Sequence, residues 1–221
     1  MADVTVKTPR DFIREVIVTW EGRVHGWHGT VDPDGGNGYG VLGFRYGWFK
    51  KVVDAYNQAA GASLAYDDGA GLAAAAETSQ MIHAQNMVAN QYLKQAFDLS
   101  IRPRNIQSLV GQLVVCDIDI NNGLGNDILK NADIMTGFAQ GAGGYHKPHL
   151  ELENHQEAGW LKVACHQRIR EISHLFKRYP GLKVRYEWYR MLVDQYAYDL
   201  SLDGVELFYI RPKAFTIEVA L

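Results

Sequence analysis

The strongest constraint on the fold is the stretch from Asn105 to Ile120, where Ile106, Leu109, Val110, Leu113, Val114 and Cys116 leave almost no polar face. A helix that is apolar on most sides has to be enclosed by other elements. The chain is therefore expected to build a helical body around a central buried helix. The turn-rich run Asn121-Asn122-Gly123-Leu124-Gly125-Asn126-Asp127 ends that helix.

The rest of the sequence supplies elements to enclose it. Thr8-Pro9-Arg10-Asp11 opens a helix with a capping hydroxyl, a proline suited to the first turn and an acid at the positive end. Phe12, Ile13, Val16, Ile17 and Trp20 then recur at three- and four-residue steps as one apolar stripe. A second helix is expected from near Phe44 to Gly61, and an Ala-rich one from Leu72 to Asp98 with Met81, Met87 and Tyr92 as core contacts. Two more are expected over Glu157 to Lys177 and Val184 to Asp199. Gly22 to Gly43 reads as turns and short irregular strands, and Gly137 to Pro148 as a loop. Residues 207–210 and 215–219 suggest a small β-hairpin around Arg211-Pro212-Lys213.

At 221 residues the chain suits one domain, at most two lobes sharing a cleft. No apolar run approaches the roughly 20 residues of a membrane span. The net charge of −3 provides no global basic field for nucleic acid. Cys116 and Cys165 sit in apolar or amphipathic stretches without CxxC spacing, so free thiols are expected. The start of the chain lacks a basic segment followed by an apolar core, so either a leader has been removed or export is expected to use another route.

Two carboxylates carry the chemical expectation. Glu21 ends the first apolar helix beside Trp20, and Asp34 lies thirteen residues on in the solvated turn Asp32-Pro33-Asp34-Gly35. Glycoside hydrolysis needs such a pair in unequal surroundings, one carboxyl kept protonated for the leaving oxygen and the other ionised. Glu21 suits the acid and Asp34 its ionised partner. His25, His28, Asp32 and Asp34 make only an incomplete metal set, because no Glu closes the calcium-loop pattern. Gly35 to Gly40 lacks the Gly-Lys-Ser/Thr ending of a phosphate cradle. No metal or cofactor is expected.

Asp34-Gly35-Gly36-Asn37-Gly38-Tyr39-Gly40-Val41-Leu42-Gly43-Phe44, with Gly47 and the helix to Tyr56, resembles the catalytic stretch of family 46 chitosanases, members of the lysozyme superfamily. Gln112 to Asp117 followed by Asn122 to Asp127 resembles the end of that family's central helix and the loop after it. A weaker block runs from Trp160 through Arg170 and Arg185 to Leu202. The resemblance implies an α+β, mainly α, lysozyme-like fold, with a small Gly-rich β lobe near residues 22–43 and a larger helical lobe. It also implies a buried Asp and two Arg behind the acid, which falls on Asp117, Arg170 and Arg185, with Arg168 competing for the place of Arg170.

The sequence departs from that family at an acidic position that serves cationic chitosan, where Lys50 stands here. An ammonium there would repel glucosaminium and suits the carboxylates of peptidoglycan, which Arg45, Lys50 or Lys51 could contact. Trp27, Tyr39, Tyr46 and Trp48 offer rings for sugar stacking. The family's water-positioning Thr has no clear counterpart after Tyr39, so either stereochemical outcome stays open.

The expected enzyme is a peptidoglycan-cleaving glycosidase, made in a bacterial cytoplasm and acting on the wall after release or delivery. It is expected to be a monomer with a polysaccharide partner and room for an inhibitor or immunity protein, and to bind neither nucleic acid nor membrane. A chitosanase and a noncatalytic wall-binding or tail protein are the alternatives.

Overall fold

The N-terminal apolar stripe forms helix α1, Pro9–Trp20, in the computed structural model of the chain, with Phe12, Ile13, Val16 and Ile17 fully buried. The structure describes residues 4–6, 9–20, 40, 42–44, 46–137, 154–177, 180–195 and 217–219. It is mainly helical, and no helix among the described residues is long and apolar enough to cross a membrane. The chain divides into two compact units, one of residues 10–94 and one of residues 95–221 with 1–9.

In the first unit α2, Tyr46–Ala60, buries Phe49, Val52 and Val53 and ends at Gly61, whose φ of +61° suits a residue without a Cβ. Asn57 then ties the following turn by bonding both the N–H and the C=O of Leu64, at 2.8 and 2.9 Å.

The single Ala-rich helix expected from Leu72 to Asp98 is instead two, α3 (Gly69–Ala75) and α4 (Ser79–Ala96). Thr78 makes the break: its hydroxyl donates to the Ala75 carbonyl at 2.7 Å and accepts from the Met81 amide at 3.2 Å, closing one helix and capping the next. The buried stripe of α4 runs through Met81, Ala84, Val88, Tyr92 and Ala96, which leaves Met87 off that face and exposed rather than in the core. α1 is tied to α4 by Arg14 donating to Asn90, and α2 to α4 by the edge-on pair Trp48 and Tyr92.

The second unit begins where α4 widens into a π turn, Phe97–Ile101, and tightens into a 3₁₀ turn, Arg102–Arg104. α5 (Leu109–Asn122) is the central helix, capped by Ser108, whose hydroxyl accepts from the Gly111 amide at 2.9 Å. Val110, Leu113, Val114, Val115, Cys116 and Ile118 have no exposed surface. Each such aliphatic burial is worth about 1.5–3 kcal/mol, so α5 owes its place to packing more than to propensity.

Around α5 lie α6 (Asp127–Met135), α7 (Asn154–Ile172) and α8 (Pro180–Gln195), with a 3₁₀ turn, Ser173–Leu175, after α7. α6 was not anticipated, although Asn126 caps it by accepting from Leu129 N–H and Asp127 favours its first turn. Gly111 marks a close approach: a Cβ there would meet Glu157 Oε1 at 2.5 Å and Ile106 Cγ2 at 2.6 Å.

Residues 207–216, with the first strand and turn of the expected hairpin, lie outside the described residues. β2 (Ile217–Val219) pairs in parallel with β1 (Val4–Val6), Val4 facing Ile217. The described partner of β2 is thus the short β-branched run near the start of the chain, a pairing the local turn signals did not point to. The Gly-rich segment 22–39 lies outside the described residues, and so does most of the loop expected over Gly137 to Pro148.

Candidate active site

A carboxylate inside a helix that is buried all round has to find charge or hydrogen-bond compensation. Asp117, on α5, is fully buried and finds both on α8: Arg185 Nη2 pairs with its Oδ1, and the Tyr186 hydroxyl donates to its Oδ2 at 2.7 Å. Arg185 and Tyr186 are nearly or fully buried, as is Tyr189 one turn further along α8. The Tyr186 and Tyr189 rings meet edge-on with centroids 5.6 Å apart. Burial, aided by the Asp117 charge, pushes the Tyr186 and Tyr189 phenols up, so both stay protonated at neutral pH, Tyr186 as the donor to Asp117.

α7 adds a second guanidinium. Arg168 lies 5.2 Å from the Tyr186 ring centroid and donates from Nη1 to Glu171 at 2.9 Å, while Glu171 also accepts from Asn122 at the end of α5. Burial works against its charge, but Tyr186 and Glu171 outweigh that and its proton affinity is raised. The result is a buried array of Asp117, Arg168, Arg185 and Tyr186 drawn from three helices.

Of the three supporting residues implied by the resemblance, the structure brings Asp117 and Arg185 into contact and leaves Arg170 exposed. Arg168, its competitor, takes the buried place. The phase of α7 explains why: Arg168 falls seven residues after Leu161, four after Ala164 and three after Cys165, on the inward stripe. Arg170 falls two residues off it. Tyr186 and Tyr189 were not foreseen. Their signal was present, since they lie on the α8 stripe with Leu192 and Val193, and a buried Asp needs donors.

Glu21, Trp27, Asp34, Tyr39 and Arg45 lie outside the described residues. Tyr46 is in the first turn of α2, with its side chain outside the description. Trp48 is half-buried, held edge-on by Tyr92 at 4.7 Å between centroids, and the Lys51 ammonium lies 3.8 Å above its ring. Lys50 is exposed and lies 5.6 Å from the Tyr66 ring. α2 thus presents two ammonium groups braced by aromatic rings, a cation–π arrangement worth about 0.5–1 kcal/mol at exposed sites.

Cys116 and Cys165 are both free and buried. Burial, with Asp117 and Asp194 nearby, pushes the Cys165 thiol up to about 12, so it stays protonated and is a poor nucleophile. Among the described residues no group of His, Cys, Asp or Glu is placed to hold a metal ion. No family model, curated protein or solved structure matches the chain.

Proposed function

We propose that the chain is a glycoside hydrolase that cleaves β-1,4 bonds of bacterial peptidoglycan, with Glu21 as the acid and Asp34 as its ionised partner. One observation supports this reading most: Asp117 and Arg185, 68 residues apart in sequence, meet in the core with Arg168 alongside. The resemblance to family 46 chitosanases calls for a carboxylate and two guanidinium groups there. Such an array suits the task of orienting an acid and setting its proton affinity, because fixed charges in a dry interior act strongly on a neighbouring carboxyl.

In this reading the fold is lysozyme-like, with the Gly-rich segment near residues 22–43 as the small lobe. Glu21 delivers a proton to the leaving glycosidic oxygen as the C–O bond breaks. Asp34 either takes a proton from the attacking water or stabilises the positive sugar ring.

Peptidoglycan is favoured over chitosan by the ammonium pair of Lys50 and Lys51, which suits lactyl and stem-peptide carboxylates and opposes a cationic polymer. Trp48 already carries Lys51 on one face, so its contribution to sugar stacking is limited to the remaining edge and face. The protein reaches the wall after synthesis in a bacterial cytoplasm, by lysis-coupled release or by delivery.

The test offers purified sacculi and chitosan side by side and identifies the reducing ends released. The proposal expects cleavage of sacculi by the wild type, none by Glu21→Gln, and retained pull-down of that variant on sacculi. Cleavage of chitosan alone would make the protein a chitosanase. Binding without cleavage by the wild type would make it a wall-binding scaffold.

A further inference from the structure

The outward side of α8 is patterned. Lys183, Val184, Glu187, Arg190, Met191 and Asp194 are all exposed there. At about 100° per residue they fall within one arc of about 120°, and inside it they separate by type. Lys183, Glu187, Arg190 and Asp194 make a charged row along the helix. Val184 and Met191, seven residues apart, make an apolar row beside it, with 50% and 48% of their surfaces in water.

Local partners leave this face largely unspent. Lys183 reaches Glu187 at 3.7 Å one turn along, and Asp194 reaches Lys162 of α7 at 3.0 Å, both as exposed pairs of little energetic weight. Among the described residues Arg190 has no ion-pair partner. A single half-exposed aliphatic side chain is ordinary, but two in register on one face form a strip that association can bury. Met and Arg are also residue types that contact surfaces favour over the rest of a protein exterior.

The charged row identifies the occupant. From Lys183 to Asp194 its signs run plus, minus, plus, minus, an order that becomes its own complement when reversed. An antiparallel copy of α8, related by a twofold axis beside Trp188, sets Lys183 against Asp194 of the second copy, Glu187 against Arg190 and Val184 against Met191. At about 1.5 Å rise per residue, one axis brings all three matches level to within about 1.5 Å. Such an axis also keeps the rows in step, charged facing charged and apolar facing apolar. A parallel copy would instead bring each charge level with its own kind. Two charges of each sign on the row give no net attraction for an acidic or a basic partner.

We propose that the outward face of α8 is the contact surface of an antiparallel homodimer, held by Val184 and Met191 and aligned by Lys183, Glu187, Arg190 and Asp194. One helix face is a small interface, so the dimer is weak and forms at roughly tens of micromolar chain or above. It departs from the monomer expected above and does not depend on the glycosidase reading.

The experiment is sedimentation equilibrium of the full chain at neutral pH and low salt, from about 1 µM to about 1 mM. The wild type is expected to pass from monomer to dimer with concentration, and less so as salt screens the charged row. Glu187→Arg alone and Arg190→Glu alone each place like charges across the axis twice, and each should weaken association at least about tenfold. Mixed in equal amounts, the two variants again set an acid against each arginine, so a heterodimer of about wild-type strength is expected. A wild type that stays monomeric over the whole range would overturn the proposal. Single variants that associate as the wild type does, or a mixture that associates no better than its components, would overturn it equally.

Discussion

Two buried aspartates in the second unit each meet an arginine, and they differ in what surrounds the pair. Asp133 is gripped by the Nε and Nη2 edge of the Arg104 guanidinium and by the Trp160 indole, and Nη1 donates to the Ser100 carbonyl. That arrangement is a closed bidentate clasp between α6 and the turn before α5, with the roles of structure. Asp117 instead meets Arg185 through one nitrogen, shares its other oxygen with Tyr186, and has Arg168 stacked nearby from a third helix. Burial and pairing are common to both, so neither marks a site by itself. The Asp117 array differs in setting one cation and a phenol on the carboxylate, with a second guanidinium, Arg168, against the phenol ring and paired with Glu171.

The largest expected effects break each pair outright. Arg104→Ala and Arg185→Ala each leave a buried carboxylate without its cation and should cost about 3–5 kcal/mol in chemical denaturation. That shared loss would not separate the clusters, but conservative changes would. Arg185→Lys keeps a charge while losing the fork, and should lower reducing-end release from sacculi by about 10–100-fold per folded molecule. Arg104→Lys should lower stability yet leave that rate within about threefold of wild type, since its cluster only holds the fold. Equal activity losses from the two lysine variants would erase the distinction.

Smaller effects sharpen it further. Trp160→Phe removes one donor from Asp133 and should cost about 1 kcal/mol in thermal unfolding without changing the pH profile of cleavage. Arg168→Ala should shift that profile, because it removes a cation from the Asp117 array. Arg170→Ala should move neither activity nor stability by more than about 0.5 kcal/mol, as an exposed substitution. Activity that depends on Arg170 and not on Arg168 would return the support to the exposed residue.

Much of the fold was legible in the sequence, for reasons tied to particular residues. Ile106 to Cys116 announced a central helix because an all-round apolar surface has few other uses, and Phe12, Ile13, Val16 and Ile17 announced α1 by their spacing. Less visible was the break at Thr78, since a threonine between Ala-rich segments helps continue or cap a helix according to tertiary context. The parallel pairing of Val4–Val6 with Ile217–Val219 was hidden for a different reason: local turn chemistry says nothing of a partner more than 200 residues away.

Of the buried array, Asp117 and Arg185 were named through the resemblance and meet in the core, while Glu21 and Asp34 lie outside the described residues. Asp117 came from the resemblance alone, although a carboxylate in so apolar a helix, like Asp119 two residues later, is a signal in its own right. Choosing between Arg168 and Arg170 needed only the inward stripe of α7. Tyr186 could not be read from its own neighbourhood, because a tyrosine on a buried stripe packs equally well with or without a carboxylate to receive its hydroxyl.

The central claim is that the chain is a glycosidase of the bacterial wall whose acid is Glu21. Reducing ends released from purified sacculi by wild type and Glu21→Gln, at equal folded concentration, test it most directly. The account predicts release by the wild type and a loss of at least about 100-fold in the variant. Equal release by the two proteins would contradict it, and so would no release by the folded wild type from sacculi or chitosan.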